Sequence, residues 1–184
     1  LPAISSIQEY KNQVKSMMRR SITLSSYVIF PVMFGLAAVA EPTVKLLLTD
    51  KWLPCVPYIQ IFCISFAFYP VHTCNLQTIN AVGRSDIFLK LEIVKKAIGI
   101  TVLGITIFCF DSPIIIASSG IATTFISCFI NAYPNKQLIN YSYVEQMRDI
   151  LPNFLLAGFM ALLVYPILLL RLSALITLLT QIIM

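Results

Sequence analysis

Charge is the scarcest thing in this 184-residue chain: 11% of its residues are charged, and 58% are hydrophobic. A soluble domain carries about a quarter charged residues and keeps roughly a third of its unfolded surface wet after folding, so this composition excludes an ordinary globular protein and a disordered chain. Histidine occurs once, at His72, and no cluster has ligand spacing, which argues against a structural or catalytic metal centre; no cofactor is expected. The five cysteines (Cys55, Cys63, Cys74, Cys109, Cys128) show no C-x-x-C spacing, and all but Cys55 fall in expected membrane spans, where thiols behave as small hydrophobes. No P-loop, dinucleotide-binding glycine pattern or nucleophile elbow is present. No groove-reading or base-stacking element accompanies the basic residues, so nucleic acid is not an expected partner.

What is present is a series of long charge-free runs. They cover Ser21–Ala40 (20 residues), Trp52–Gly83 (32, with His72 neutral), Ser112–Asn135 (24) and Ile150–Leu170 (21). About 20 apolar residues suffice for a helix to cross the ~30 Å hydrocarbon layer. Ala97–Phe110 extends backwards into a helix from Asp86 whose Lys90, Glu92, Lys95 and Lys96 mark the wet end. The expected fold is therefore an all-α integral membrane protein with five transmembrane helices, at about 21–40, 56–80, 86–110, 113–133 and 151–170. A sixth, truncated segment (172–184) follows, too short at ~1.5 Å per residue to reach the far side. Leu1 is not an initiator Met, and no signal peptide precedes the first run. The chain reads as a piece of a longer protein cut inside its last helix; the alternative is a complete small protein ending in a re-entrant segment.

Three stretches organise the chain. Residues 1–20 form a basic amphipathic helix or loop, with Ile4, Ile7, Tyr10, Val14, Met17 and Met18 on one side and Lys11, Lys15, Arg19 and Arg20 on the other. Residues 21–135 hold four transmembrane helices, with Pro31 expected to kink the first, Glu41-Pro42 to end it, and Pro70 to kink the second. Val44–Leu48 reads as a short surface turn of helix. Residues 136–184 hold a polar connection to about Ile150, with room for a short helix, and then the C-terminal helices. Alternating the loops puts ten basic residues on one face and three (Lys45, Lys51, Arg171) on the other. The positive-inside rule makes the N-terminus cytoplasmic.

All eight carboxylates lie outside the charge-free runs, so a proton relay built on mid-membrane acids is not expected. The second helix is the polar one. Ser65, His72, Asn75 and Asn80 are candidates for the wall of a substrate cavity, where a polar stripe would hydrogen-bond sugar hydroxyls or phosphate. The competing reading is interhelical packing through hydrogen bonds, weighed evenly for Asn75 and Asn80. Lys90, Lys95 and Lys96 are candidates for a lipid-phosphate entrance, against the plainer reading of Glu92 with Lys95 or Lys96 as a helical ion pair. Ala117, Ser118, Ser119, Gly120, Ala122, Thr123 and Thr124 read as a close-packing stripe. The Asn140-Tyr141-Ser142 sequon falls on the expected cytoplasmic face and is taken as coincidence.

Several stretches resemble one family. Leu1-Pro2-Ala3-Ile4-Ser5-Ser6 ahead of a basic helix, Glu41-Pro42 through Leu53-Pro54, Asn80-Ala81-Val82-Gly83-Arg84-Ser85-Asp86 and Asn131-Ala132-Tyr133-Pro134-Asn135-Lys136 are similar to loops of the second half of oligosaccharide flippases. These are the O-antigen and exopolysaccharide members of the multidrug/oligosaccharidyl-lipid/polysaccharide exporter superfamily. The resemblance runs to about Pro152. It implies part of the C-terminal lobe of a two-lobe transporter in the bacterial inner membrane, with an N-terminal lobe of the same protein as partner. It also implies transport of undecaprenyl-pyrophosphate-linked oligosaccharide units by alternating access, with no enzymatic step. The alternatives are a multidrug or cation exporter of the same superfamily, a membrane enzyme acting on lipid-linked sugars, and a scaffold without transport. The family has no fixed motif from which site residues carry over.

Overall fold

The computed structural model describes residues 2–169, with side chains over residues 10–163. The sixth apolar segment expected at 172–184 lies outside the described residues, as do the side chains of Ile4 and Ile7. Among the described residues every regular element is helical: α1 (Pro2–Ala38), α2 (Ala40–Leu48), a 3-10 turn (Asp50–Cys55), α3 (Val56–Ala67), α4 (Tyr69–Ala81), α5 (Ser85–Cys109), α6 (Pro113–Ile139) and α7 (Tyr143–Leu169). Three stretches of the described residues are long and apolar enough to cross a membrane: Tyr10–Ala38, Asp50–Ala81 and Pro113–Ile139. This is an all-α membrane protein. The two further crossings expected from sequence correspond to α5 and α7, of 25 and 27 residues. Both have the length, but each carries a charged end: Glu92, Lys95 and Lys96 on α5, and Glu145, Arg148 and Asp149 on α7.

Several boundaries differ from the sequence reading, each for a local reason. The basic segment and the first span are one helix, α1, which continues through Pro31. Its end falls at Ala38, and Glu41 and Pro42 lie inside α2. Pro42 is tolerated there because the first turn of a helix has no intrahelical use for its N–H. The second span is divided in two at Phe68, with Pro70 opening α4. Proline cannot donate to a carbonyl four residues back, and the chain compensates with bonds from the N–H groups of Val71 and His72 to the Phe68 carbonyl at 3.1 and 3.3 Å.

The turn after α4 is closed by Gly83 at φ 76°, a left-handed position where a side chain is strained. The Gly83 N–H meets the Asn80 carbonyl at 2.9 Å and the Arg84 N–H meets the Ile79 carbonyl at 3.1 Å, completing a Schellman ending. Just beyond it, Arg84 pairs with Asp86 at 2.9 Å, and this guanidinium hydrogen bond brings the exposed Asp86 carboxyl down to about 2. The polar connection expected at 136–150 is only Asn140–Ser142, because α6 runs on to Ile139 and α7 starts at Tyr143. Two signals set it: Asn140 in the left-handed region, φ 54°, and a reciprocal capping box. In the box the Ser142 N–H donates to Glu145 Oε2 at 2.9 Å, and the Glu145 N–H donates to Ser142 Oγ at 3.3 Å.

α1 packs most extensively on α7, and α6 lies against α3, α4 and α5. The core between them holds Ile22, Phe30, Phe68, Val71, Cys128, Tyr141 and Ala157. Phe30 meets Phe68 and Phe154 edge-on, with centroids 5.5 and 5.7 Å apart. Such pairs add about 0.5–1.5 kcal/mol beyond burial. Elsewhere large apolar side chains face outward, Ile100, Phe108 and Leu162 among them, as a lipid-facing surface allows. At Gly120, within the small-residue stripe of α6, a Cβ would meet nothing within 4 Å, so this position is not one of close helix approach.

Candidate functional site: a cavity between α4, α5 and α6

α3 and α4 form one wall of a cavity of about 760 Å³, α5 the second and α6 the third. Ser65, Tyr69, His72 and Thr73 come from the first wall, Glu92, Lys95 and Lys96 from the second, and Thr123, Thr124 and Ser127 from the third. The break at Phe68 helps to shape it, because it separates Ser65 and His72 onto two helices that still share the wall. Of the seven candidates read from sequence, the cavity brings together four: Ser65, His72, Lys95 and Lys96.

The Lys95 ammonium is mostly buried and lies 2.5 Å from Glu92, one helical turn back. Lys96 is exposed and has no carboxylate partner among the described residues. The α5 wall thus carries two ammonium groups against one carboxylate. Ser65 Oγ donates to the Ile61 carbonyl at 3.1 Å, and Thr73 Oγ1 donates to the Tyr69 carbonyl at 3.1 Å. Each hydroxyl thereby satisfies its own proton within its helix and leaves lone pairs for a ligand donor. Such a mixed wall of cations and hydroxyls suits a ligand that is anionic at one point and rich in hydroxyls elsewhere.

His72 is the hinge between the cavity and a buried polar chain behind it. Asn131 Nδ2 lies 3.1 Å from His72 Nδ1, and Cys128 Sγ lies 3.3 Å from Nε2. With the Asn131 amide as donor, the neutral imidazole carries its proton on Nε2. Asn135 Nδ2 donates to Asn75 Oδ1 at 2.6 Å. Asn75 and Gln146 exchange two bonds, Asn75 Nδ2 to Gln146 Oε1 at 2.8 Å and Gln146 Nε2 to Asn75 Oδ1 at 3.0 Å. Asn75 Nδ2 also donates to the Val71 carbonyl at 2.8 Å, so its side chain is saturated. Asn75, Asn131, Asn135 and Gln146 are all fully buried. The chain of amides ties α4, α6 and α7 together.

The remaining candidates stand elsewhere. Asn75 belongs to this amide cluster, off the cavity wall. Asn80 and Lys90 are exposed and do not line the cavity. The sequence reading missed Asn131, Asn135 and Gln146. The signal for the first two was present: two asparagines four apart on an otherwise apolar helix share a face that must find polar company. Gln146 was hidden because its stretch read as a loop.

A second cavity of about 890 Å³, lined by Phe34, Ile64, Phe154 and Phe159 among others, lies between α1, α3 and α7 and is almost wholly apolar. Among the described residues Gln60 brings the one polar side chain to it and donates to the Ala37 carbonyl at 3.2 Å. Among the described residues no group of His, Cys, Asp and Glu has the arrangement of a metal site.

Residues 1–57 match the family model of the polysaccharide biosynthesis protein family. Over 153 residues the chain is 29% identical to an uncharacterised membrane protein in cps region of Klebsiella pneumoniae. That similarity covers 83% of this chain and 29% of the relative, so the chain spans less than a third of the relative's length. No solved structure matches the chain.

Proposed function

We propose, from the premise that this chain is a polysaccharide-biosynthesis protein of the flippase family, that it forms one wall of a transmembrane path for lipid-linked oligosaccharide units. The path carries an undecaprenyl-pyrophosphate-linked unit from the cytoplasmic to the outer leaflet of a bacterial inner membrane. In a protein of the relative's length, the four spans within residues 21–135, from α1 to α6, belong to the C-terminal lobe, and alternating access comes from rocking this lobe against an N-terminal one. The protein acts as a transporter, with no bond made or broken in its cargo. The N-terminus of α1 faces the cytoplasm.

The observation that carries this reading is the cavity wall. A sugar–phosphate head cannot enter hydrocarbon without losing its hydration, and the wall offers replacement partners: Lys95 and Lys96 for phosphate oxygens, and Ser65, Thr73, Thr123, Thr124 and Ser127 for sugar hydroxyls. Glu92 holds Lys95 in place and keeps its charge neutralised when no anion is bound.

The test is made in the native host with the full gene deleted and complemented. Surface polysaccharide and the pool of lipid-linked units in the inner leaflet are measured together. Lost surface glycan with an accumulated inward pool is the expected result. Complementation with the K95Q/K96Q pair should lower export about tenfold, the scale of losing charge-assisted hydrogen bonds to phosphate. Normal glycan in the deletion strain with raised drug sensitivity would move the assignment to an exporter of other cargo.

A further inference from the structure

His72 occupies an unusual position: one side of its ring faces the cavity and its Nδ1 meets the head of the buried amide chain. The Asn131 amide spends its Nδ2 on that nitrogen, while its Oδ1 is buried and has no hydrogen-bond partner among the described residues. A buried acceptor without a donor is costly, on the order of 1–3 kcal/mol. The arrangement also accommodates a protonated ring. If His72 takes up a proton, Nδ1 becomes a donor while Nε2 keeps its own, and a half-turn of the Asn131 amide brings Oδ1 round to accept from Nδ1. Oδ1 then gains a partner and the link between the helices is kept, with Nδ2 taking the place that Oδ1 held.

Charge points the same way. The groups facing His72 are Lys95, Lys96 and Glu92 from α5, Cys128 from α6, and Tyr69 of its own helix. Among the described residues α1 and α7 put no charged side chain on the cavity wall. With neutral imidazole the wall has a formal charge of +1, from two ammonium groups and one carboxylate. A proton on His72 raises it to +2, which matches a doubly charged phosphate-type anion.

We propose that the cavity binds a phosphate or pyrophosphate anion together with a proton on His72, with Asn131 as the acceptor that turns to hold the protonated ring. This deepens the transport reading above and rests on it for the choice of cargo chemistry. Binding linkage is reciprocal: an anion that favours protonated His72 takes up a proton when it binds, and acid tightens its binding. His72 acts here as a positioning and charge-supplying residue.

The experiment uses the purified full-length protein in nanodiscs and inorganic pyrophosphate, titrated by calorimetry at about pH 5.5 and about pH 8, on either side of the ordinary histidine range. Pyrophosphate itself titrates in this interval, so the comparison with H72Q carries the result. Wild type should tighten on acidification about tenfold more than H72Q does. Equal pH dependence in the two proteins would overturn the inference and leave the anion site standing. Absence of binding at both pH values would overturn the anion site as well.

Sulfate, which stays doubly charged across this range, supplies a second measurement that needs no variant. Its binding to wild type in two buffers of different ionisation enthalpy should show net proton uptake, and zero uptake overturns the proposal even if H72Q fails to fold. Geranylgeranyl pyrophosphate distinguishes the source of the anion: tighter binding than inorganic pyrophosphate assigns a lipid headgroup, and equal binding assigns a soluble anion. Proton uptake is required in both.

Discussion

Asn75 and Asn80 look alike in the sequence, five residues apart on one polar helix, yet they have opposite surroundings. Asn75 is fully buried and every hydrogen-bonding atom of its side chain is used, by Val71, Gln146 and Asn135. Replacing it with alanine strands the Gln146 amide and the Asn135 donor. The expected loss is about 2 kcal/mol, near the upper end for interhelical bonds in membranes. Asn80 is exposed and gives its backbone carbonyl, not its side chain, to the turn at Gly83. Asn80→Ala should change stability by less than about 0.5 kcal/mol. Thermal unfolding of the two variants of the full protein in detergent checks the contrast; equal losses would contradict it. The sequence supplied the polarity of this helix but not the distinction, because one turn of rotation decides which amide meets Gln146.

At the scale of elements, the joint between α1 and α7 is the most polar contact in the fold. Lys15 lies 3.2 Å from Glu145 and donates to the Asn140 carbonyl at 2.6 Å. Arg19 pairs with Asp149, whose other oxygen accepts from the Tyr141 hydroxyl at 2.8 Å. Deeper in, Asn153 Nδ2 donates to the Thr23 carbonyl and to Ser26 Oγ, both at 2.9 Å. Burial, reinforced by its bond to the Asp149 carboxylate, pushes the Tyr141 hydroxyl above its ordinary range, so it stays protonated and donating at physiological pH. The Glu145 carboxyl is held below its usual range, first by the Ser142 N–H and then by Lys15. A depressed carboxylate contributes stability above its unfolded value of about 4.3 and loses it as pH falls through the folded one. Acidification from about pH 6 to about pH 3 should therefore loosen the start of α7, and E145Q should show less of this acid sensitivity. S142A should cost about 1 kcal/mol at neutral pH, the usual scale for a lost N-cap. Melting curves of the two variants against pH are the check; an acid response in E145Q as large as that of wild type would remove Glu145 from the account. The sequence carried this joint in part, since Ser142-x-x-Glu145 is a helix-start pattern. The sequence reading treats it as a polar connection with room for a short helix, and α7 takes up most of that stretch.

At the scale of the whole molecule, the orientation proposed from the basic residues has the N-terminal end of α1, the α4–α5 turn and the α6–α7 turn on one side of the membrane. In a cysteine-free background of the full protein, Lys51→Cys should react with a membrane-impermeant maleimide applied to intact cells with the outer barrier permeabilised. Ser85→Cys should react only after the inner membrane is opened. The reverse pattern would invert the topology. α5 has no buried residue and, among the described residues, packs chiefly on α6 and α4, so Ile93, Ile100 and Phe108 are left facing outward. That face suits lipid or further helices of a longer protein, whereas α1 and α7 enclose the aromatic core of Phe30, Phe34 and Phe154.

Composition alone determined the solvent of this protein. With so few charges, and those confined between long apolar runs, only a bilayer lets the chain fold, and the backbone must then be helical because no water is present to pair it. Proline and glycine likewise marked the break at Pro70 and the turn at Gly83. Tertiary structure decided which polar groups face the cavity and which face each other. His72 and Asn75 share a helix face, but packing against α6 and α7 buries one amide among three others and leaves the imidazole at the edge of the cavity. Lys95 and Lys96 are neighbours in sequence, yet one is mostly buried against Glu92 and the other is open. Such differences arise from helix rotation and from partners distant in sequence, and hydrophobic periodicity holds no information about either.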